Sequence, residues 1–407
     1  MRRILHIFFS APVLCFCLFA CHSGPGQDVK ASPPPRFHEE PKKFGIVELP
    51  FSDTTTKEWR LIAEKLDSFY KVQVRMGFNG SVLIGYKGKI LYERYFGVAN
   101  RETQLNLSSN TPSQLASTSK TFTGAAILYL YEHKYLDIDS PVTNFIKGFP
   151  YPNITVRMLL CHRSGLPDYT HWVLNYRADK NTPINNEQML ALLAANKPQL
   201  EFKPNTRFHY SNTNYATLAR IIEMVTERKY ADFMQAYIFT PLGMKHTFIF
   251  DPAKGFPPNA TMSYKYNWVR EPVMFADGVY GDKGIYSTVE DMYRWDQSFY
   301  HNTLLSNETL ELAYGPCSFE KAGIKNYGLG WRMLCYPDGY KIIYHNGWWH
   351  GNNTCFYRFI KDNFTVIVLG NKYNNAIYRQ PQAVYTIING PKNDGNHGDS
   401  EENMTDE

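Results

Sequence analysis

The chain has 407 residues, with 43 Lys and Arg against 38 Asp and Glu and a formal charge of +5, which falls to +3 without Arg2 and Arg3. So mild a surplus excludes a nucleic-acid-binding surface as the organising feature. No internal repeat and no Gly-rich phosphate loop is present, and the roughly 330 residues between the two ends suit one folded unit with a lobe inserted in it.

Residues 1–21 read as a targeting segment. Arg2 and Arg3 form a basic start, and Ile4 to Ala20 is apolar but too short and wrongly flanked for a membrane span. Leu18-Phe19-Ala20-Cys21 resembles a bacterial lipobox, which would make Cys21 the lipidated first residue of the mature chain. The alternative is an ordinary cleaved signal peptide that ends by chance before a cysteine. Lipidation predicts a body tethered to a membrane of the bacterial cell envelope, in the periplasm or outside the cell. Residues 22–50 are rich in Gly, Pro and charge and read as a flexible tether. Residues 51–389 form the body, and 390–407 offer almost nothing to bury and are expected to be disordered.

Trp59, Ile62, Leu66, Phe69 and Val72 recur at helical spacing and predict an amphipathic helix from Thr56 to Arg75. Ser81–Tyr86 and Lys89–Phe96, joined at Lys87-Gly88, read as a β-hairpin. A helix opening near Ser117 should carry Phe122, Ala126, Ile127 and Leu130 inward and end before the turn chemistry of 136–142. From about residue 150 to 281 the pattern is helical and loop-rich, with helices at Glu187–Asn196, Thr213–Arg228 and Tyr230–Phe239. The loops His171–Pro183 and Lys254–Glu271 are expected to line that lobe. Strands return after Gly281, at Tyr327–Cys335, Lys341–Tyr344, Thr354–Ile360 and Thr365–Leu369, before a final helix at Gln382–Ile388. The fold class is therefore α+β: one antiparallel β-sheet flanked by helices, with a mainly helical lobe inserted and a pocket between lobe and sheet.

The body holds Cys161, Cys317, Cys335 and Cys355, with no C-x-x-C pair to suggest zinc or redox chemistry. Cys335 and Cys355 either fall on adjacent strands and bond, or are two buried thiols.

Three clusters carry chemistry. In Ser117-Thr118-Ser119-Lys120 a helical turn places Lys120 beside Ser117, because residues three apart share a face. An adjacent amine can activate a serine, and the helix start supplies N–H groups where an oxyanion would form. In Tyr210-Ser211-Asn212 an extended segment would aim Tyr210 and Asn212 the same way. The phenol could move a proton, and the amide could hold Lys120 or a substrate carbonyl. The alternative is a helix N-cap formed by Ser211 or Asn212, with Tyr210 merely packed. In His345-Asn346-Gly347-Trp348-Trp349, Gly347 would let substrate backbone approach a strand edge, and the Trp348 N–H would join the Ser117 N–H as an oxyanion donor. The alternative is a turn between strands with both tryptophans in the core. A metal at His345 and His350 lacks a third ligand nearby.

The three clusters occur in the order of the three motifs of serine β-lactamases and penicillin-recognising DD-peptidases. The Tyr at 210 resembles the class C branch, as do the runs 154–166, 241–244 and 281–288, and the resemblance extends over residues 57–388. It implies an acyl-enzyme hydrolase in which Ser117 is the nucleophile, Lys120 its hydrogen-bonded amine and Tyr210 the phenol that passes the proton to the leaving group. Asn212 would position Lys120 and substrate, with Gly347 and Trp348 forming the strand edge and oxyanion donor. No metal or organic cofactor is implied. A small-molecule or peptide substrate is expected, and no nucleic acid.

Class C β-lactamases begin the third motif with Lys, whereas this chain has His345. A largely neutral histidine would lend Tyr210 less field and bind a carboxylate weakly. His-x-Gly there resembles the esterase, D-aminopeptidase and DD-peptidase-like relatives. The expected substrates are therefore D-amino-acid peptides of cell-wall type, then small acyl esters, then β-lactams. A non-catalytic binding protein of the same fold is the rival, opposed by the intact Ser117, Lys120, Tyr210 and Asn212. His345→Lys is expected to shift turnover toward penicillin.

Overall fold

A computed structural model describes residues 36–44, 48–53, 55–177 and 179–390. Cys21, the lipobox, most of the tether and residues 391–407 lie outside the described residues.

Seven strands form one antiparallel sheet. Their order is Lys89–Phe96, Gly80–Tyr86, Phe364–Gly370, Asn352–Phe359, Lys341–Trp349, Arg332–Cys335 and Lys325–Tyr327. The early hairpin thus pairs with the late strands, Ile84 opposite Val366 in the register that joins them. Lys87 and Gly88 both take positive φ, 49° and 77°, the twist a two-residue hairpin requires.

The central strands Gly80–Tyr86 and Phe364–Gly370 are largely apolar because helices cover both faces. On one face Val82, Ile84, Ile342, Val366 and Val368 pack with Leu66 and Tyr70 of the Lys57–Arg75 helix and Val384 of the Gln380–Asn389 helix. On the other, Leu83, Ile343, Phe356 and Ile367 meet Phe122 of the Ser119–Glu132 helix and Trp295 of the Val289–Tyr300 helix. Every residue from Ser119 to Leu130 is buried. That helix is central, so its burial extends well beyond the four positions that periodicity picked out. Between residues 150 and 281 lie the helices Val156–Leu160, Tyr169–Trp172, Asn186–Asn196, Asn212–Thr226 and Tyr230–Met234. They supply one wall of the site.

Several expectations are corrected. Val72 is 47% exposed, and Tyr70 takes the inward place on the first helix. The stretch 327–335 is two short strands around a tight turn closed by Gly328 N–H to the Trp331 carbonyl. After Gly281 comes a short strand, Ile285–Ser287, in a separate three-stranded sheet, and the helices Val289–Tyr300 and Asn307–Ala313 then precede the late strands of the main sheet. The first helix has an N-cap signal, Thr288 accepting from the Asp291 N–H, and an apolar stripe at Met292, Trp295 and Phe299. Cys335 and Cys355 are free thiols. The strand Lys341–Trp349 runs between theirs, pairing Lys341 with Cys335 and Asn346 with Cys355. Two strand spacings, about 9–10 Å, exceed what a disulfide can bridge.

Residues 36–44, part of the expected tether, lie against the body. Phe37 packs edge-on to Tyr135 at 4.9 Å, and Tyr129 donates to the Glu39 carboxylate at 2.7 Å. Among the described residues no helix is long and apolar enough to cross a membrane.

Candidate active site

The Ser117 turn is built against the sheet. Residues Ala116–Thr118 form a single 3-10 turn that leads into the Ser119–Glu132 helix. The strand Arg332–Cys335 pairs with Lys341–Trp349 only as far as Tyr344, so the edge from His345 onward has no strand beside it. The Ser117 turn packs beside that edge, on the face of the strands Lys341–Trp349 and Asn352–Phe359. Thr118 Oγ1 meets Thr354 Oγ1 at 3.0 Å, and Thr354 Oγ1 donates to the Leu115 carbonyl at 2.8 Å. Ala116 is held at φ +48°, a left-handed conformation that a Cβ disfavours. Gly347 makes the contact possible: a Cβ there would stand 2.3 Å from the Leu115 carbonyl oxygen. The missing side chain at 347 therefore admits the chain's own nucleophile turn, where the sequence suggested room for substrate.

Lys120 is fully buried, and its ammonium group has three acceptors. Nζ donates to Ser117 Oγ at 3.0 Å, to Asn212 Oδ1 at 2.7 Å and to the Asp282 carbonyl at 2.9 Å. These bonds orient the ammonium with an N–H on the serine oxygen. Asn212 is oriented in turn by Asp168, whose Oδ2 accepts from the Asn212 backbone N–H at 2.8 Å and from Nδ2 at 2.9 Å. That leaves Oδ1 to Lys120. Asn212 opens the Asn212–Thr226 helix; Ser211, at the cap position, makes no capping bond, and Asp168 takes the first N–H instead.

Tyr210 has two cations near its ring. Its ring centroid is 4.8 Å from Lys120 Nζ and 5.1 Å from the Arg332 guanidinium carbon. The His162 ring stacks on it at 4.2 Å. His162 Nδ1 accepts from the Ser211 N–H at 3.1 Å, and Asn214 Nδ2 approaches it at 3.0 Å. Burial, then the charges of Lys120 and Arg332, pushes the His162 imidazole well below its ordinary range, so it is neutral.

His345 departs from its expected place. It is fully buried, so it presents no surface to a substrate. Nδ1 lies 2.6 Å from the Asn346 carbonyl and Nε2 lies 3.1 Å from Tyr327 Oη, a pairing that suits a neutral ring with its proton on Nδ1. Burial first, then Arg332 and Lys120, holds its pKa well below the histidine range. The second cation that the third motif lacks is supplied from the neighbouring strand by Arg332, which pairs in register with Tyr344. Sequence reasoning missed both Arg332 and Asp168. Asp168 stands just past the run 154–166, and its Asp-x-Thr spacing is an N-cap signal, with Oδ1 accepting from the Thr170 N–H at 2.9 Å. Nothing local marked Arg332.

Trp348 is 45% exposed at the rim, whereas Trp349 turns inward and donates to Asp277 at 2.6 Å. His350 Nε2 lies 2.9 Å from the same carboxylate. His345 and His350 are thus engaged separately and do not face a common point. Lys283, 3% exposed, bonds to Tyr169 and Asp282 and lies 4.5 Å from the Trp349 ring.

The beta-lactamase family model matches residues 71–385. A penicillin-binding protein of Bacillus subtilis is 34% identical over 320 residues, covering 74% of this chain and 70% of that protein. The teichoic acid D-alanine hydrolase of Staphylococcus aureus is 29% identical over 237 residues, 56% of this chain and 55% of that protein. The solved penicillin-binding protein homologue from Pyrococcus abyssi superposes with a TM-score of 0.68 at 26% identity, over 80% of this chain and 76% of that one.

Proposed function

The chain belongs to the beta-lactamase family of serine hydrolases, and from that premise we propose that it is an exported, lipid-anchored hydrolase working through an acyl-enzyme at Ser117. The observation that carries this reading is the Lys120 ammonium held between Ser117 Oγ, Asn212 Oδ1 and the Asp282 carbonyl. In the proposed reaction Ser117 Oγ attacks the carbonyl carbon of an ester or amide, and its proton passes to the Tyr210 phenolate. The Ser117 and Trp348 N–H groups receive the oxyanion. The C–O or C–N bond then breaks, and Tyr210 returns the proton to the leaving group. Water attacks the acyl-enzyme by the same route in reverse. Positive charge from Lys120 and Arg332, both near the Tyr210 ring, stabilises the negative charge the phenol oxygen must carry.

The proposed substrates are D-amino-acid esters or amides of cell-wall type. The likeness to a penicillin-binding protein and to a teichoic acid D-alanine hydrolase supports that class. A carboxylesterase is the second reading, favoured by the neutral, buried His345 and the half-exposed Trp348 at the rim. The Tyr at 210 supports a class C-like branch. Cys21 is the proposed lipid anchor, tethering the body to a membrane of the cell envelope. The test is mass spectrometry of the intact protein after exposure to esters, D-Ala-D-Ala peptides and penicillins. An acyl adduct on Ser117, absent from Ser117→Ala, is expected. Turnover retained by Ser117→Ala would overturn the assignment.

A further inference from the structure

Cys161 and Cys317 lie far apart in the chain, yet their thiols meet. Cys161 closes the Val156–Leu160 helix, is 2% exposed, and has its Sγ 3.0 Å from the Arg157 carbonyl oxygen. Cys317 stands between the Asn307–Ala313 helix and the Lys325–Tyr327 strand, partly buried against the same apolar core. The two segments are tied at that point, because Arg163, two residues past Cys161, donates from Nη1 to the Cys317 carbonyl at 2.9 Å. The thiols hydrogen-bond to each other, Cys161 donating to the Cys317 sulfur. That bond, and then burial, push the Cys161 thiol up. The same bond, with the charges of Arg157 and Arg163, outweighs burial and brings the Cys317 thiol down. A partly exposed thiol beside arginines is the reactive kind, and a second thiol in contact with it is placed to resolve a mixed disulfide.

Both cysteines adjoin the packing around Tyr210. His162 follows Cys161, and its ring stacks on Tyr210 at 4.2 Å. The Cys317 N–H donates to the Tyr327 carbonyl at 2.9 Å, and the Tyr327 ring stands edge-on to His162 at 4.8 Å and to Tyr210 at 6.4 Å.

We propose that Cys161 and Cys317 are an oxidisable pair that closes to a disulfide, clamping the helical wall to the sheet edge on either side of Tyr210. The oxidant is a small-molecule disulfide, a class that persists outside the cytosol. The Cys317 thiolate attacks one of its sulfurs, a mixed disulfide forms, and one small thiolate leaves. Cys161 gives up its proton and attacks Cys317 Sγ, the protein S–S bond forms, and the second small thiolate leaves. The two cysteine protons end on the two released thiols, so the pair loses two electrons and the oxidant gains two. The cross-link needs neither Ser117 nor export; only its effect on turnover rests on the acyl-enzyme reading.

The experiment incubates the full chain with oxidised or reduced glutathione, alkylates it under denaturing conditions and maps its peptides by mass spectrometry. Oxidation should yield a Cys161–Cys317 cross-linked peptide and leave Cys335 and Cys355 alkylated. The oxidised protein should melt at least about 3 °C above the reduced one, and the temperature at which ester turnover is lost should rise with it. Cys317→Ser should melt at the same temperature in both conditions; the wild-type comparison needs no variant. A glutathione adduct on Cys317 without the cross-link, a different pairing, or equal melting of oxidised and reduced wild type would overturn the pair. A raised Tm with heat inactivation unmoved would overturn the clamp on Tyr210. Turnover that survived Ser117→Ala would instead remove the acyl-enzyme reading and leave the cross-link standing.

Discussion

Gly347→Ala tests whether the third motif serves the chain or the substrate. The added methyl would stand 2.3 Å from the Leu115 carbonyl oxygen, 2.4 Å from Thr354 Oγ1 and 3.1 Å from Ala116 Cβ. Thr354 can rotate away only by giving up its bonds to Leu115 and Thr118. The Leu115 oxygen is backbone, and it already accepts from the Thr118 N–H at 3.1 Å. To clear 3.0 Å it must retreat by about 0.7 Å, and Ser117 is two residues along. Overpacking of this kind costs about 1–3 kcal/mol of stability. Misplacing a nucleophile by about 1 Å costs on the order of 10² in rate. We therefore expect Gly347→Ala to lower Tm and to reduce kcat on an activated ester by about 10–10², measured by thermal denaturation and steady-state kinetics. If the glycine mattered only for substrate approach, KM alone would rise. Wild-type Tm and kcat with a raised KM would refute the packing argument.

Arg332→Gln should slow turnover by about 10–10². A charge 5.1 Å from the Tyr210 ring is worth at most about 3 kcal/mol at an effective dielectric of about 20. Arg332→Lys should recover part of the loss, and an unchanged pH–rate profile in the Gln variant would remove Arg332 from the reaction. His345→Lys should lower Tm rather than improve benzylpenicillin hydrolysis, because the new ammonium would be buried beside Arg332 and Lys120; better penicillin turnover at unchanged Tm would contradict this. The His162 and His345 pKa values are depressed on folding, so each stabilises fully above the unfolded value, about 6.5, and loses that contribution as pH falls below it. Urea unfolding should show a loss of about 1.4 kcal/mol per histidine between pH 7.5 and 5.5. His345→Asn should remove about half of that dependence, and an unaltered slope would mean His345 titrates normally. Cys21→Ser should abolish lipid labelling, and unchanged palmitate incorporation would exclude Cys21 as the anchor.

The sequence by itself determined the sheet's outer hairpin, the central helix and the identity of the motif residues. Each of these is carried by local spacing: Lys87-Gly88 between two apolar runs, Ser117 three residues before Lys120, Tyr210 two before Asn212. Local spacing also misled. The apolar run 327–335 hides a turn, and the helix Val289–Tyr300 is marked locally only by Thr288 and its apolar stripe. What only the tertiary structure decided is which groups meet across the sheet. Arg332 reaches Tyr210 from a strand more than 100 residues later in the chain. His345 is buried against Tyr327 because the strand register turns it inward, and Gly347 is small because Leu115 and Ala116 lie on it. A one-residue change of register would send each of these side chains to the opposite face, and register is set by the whole packed sheet, not by the motif.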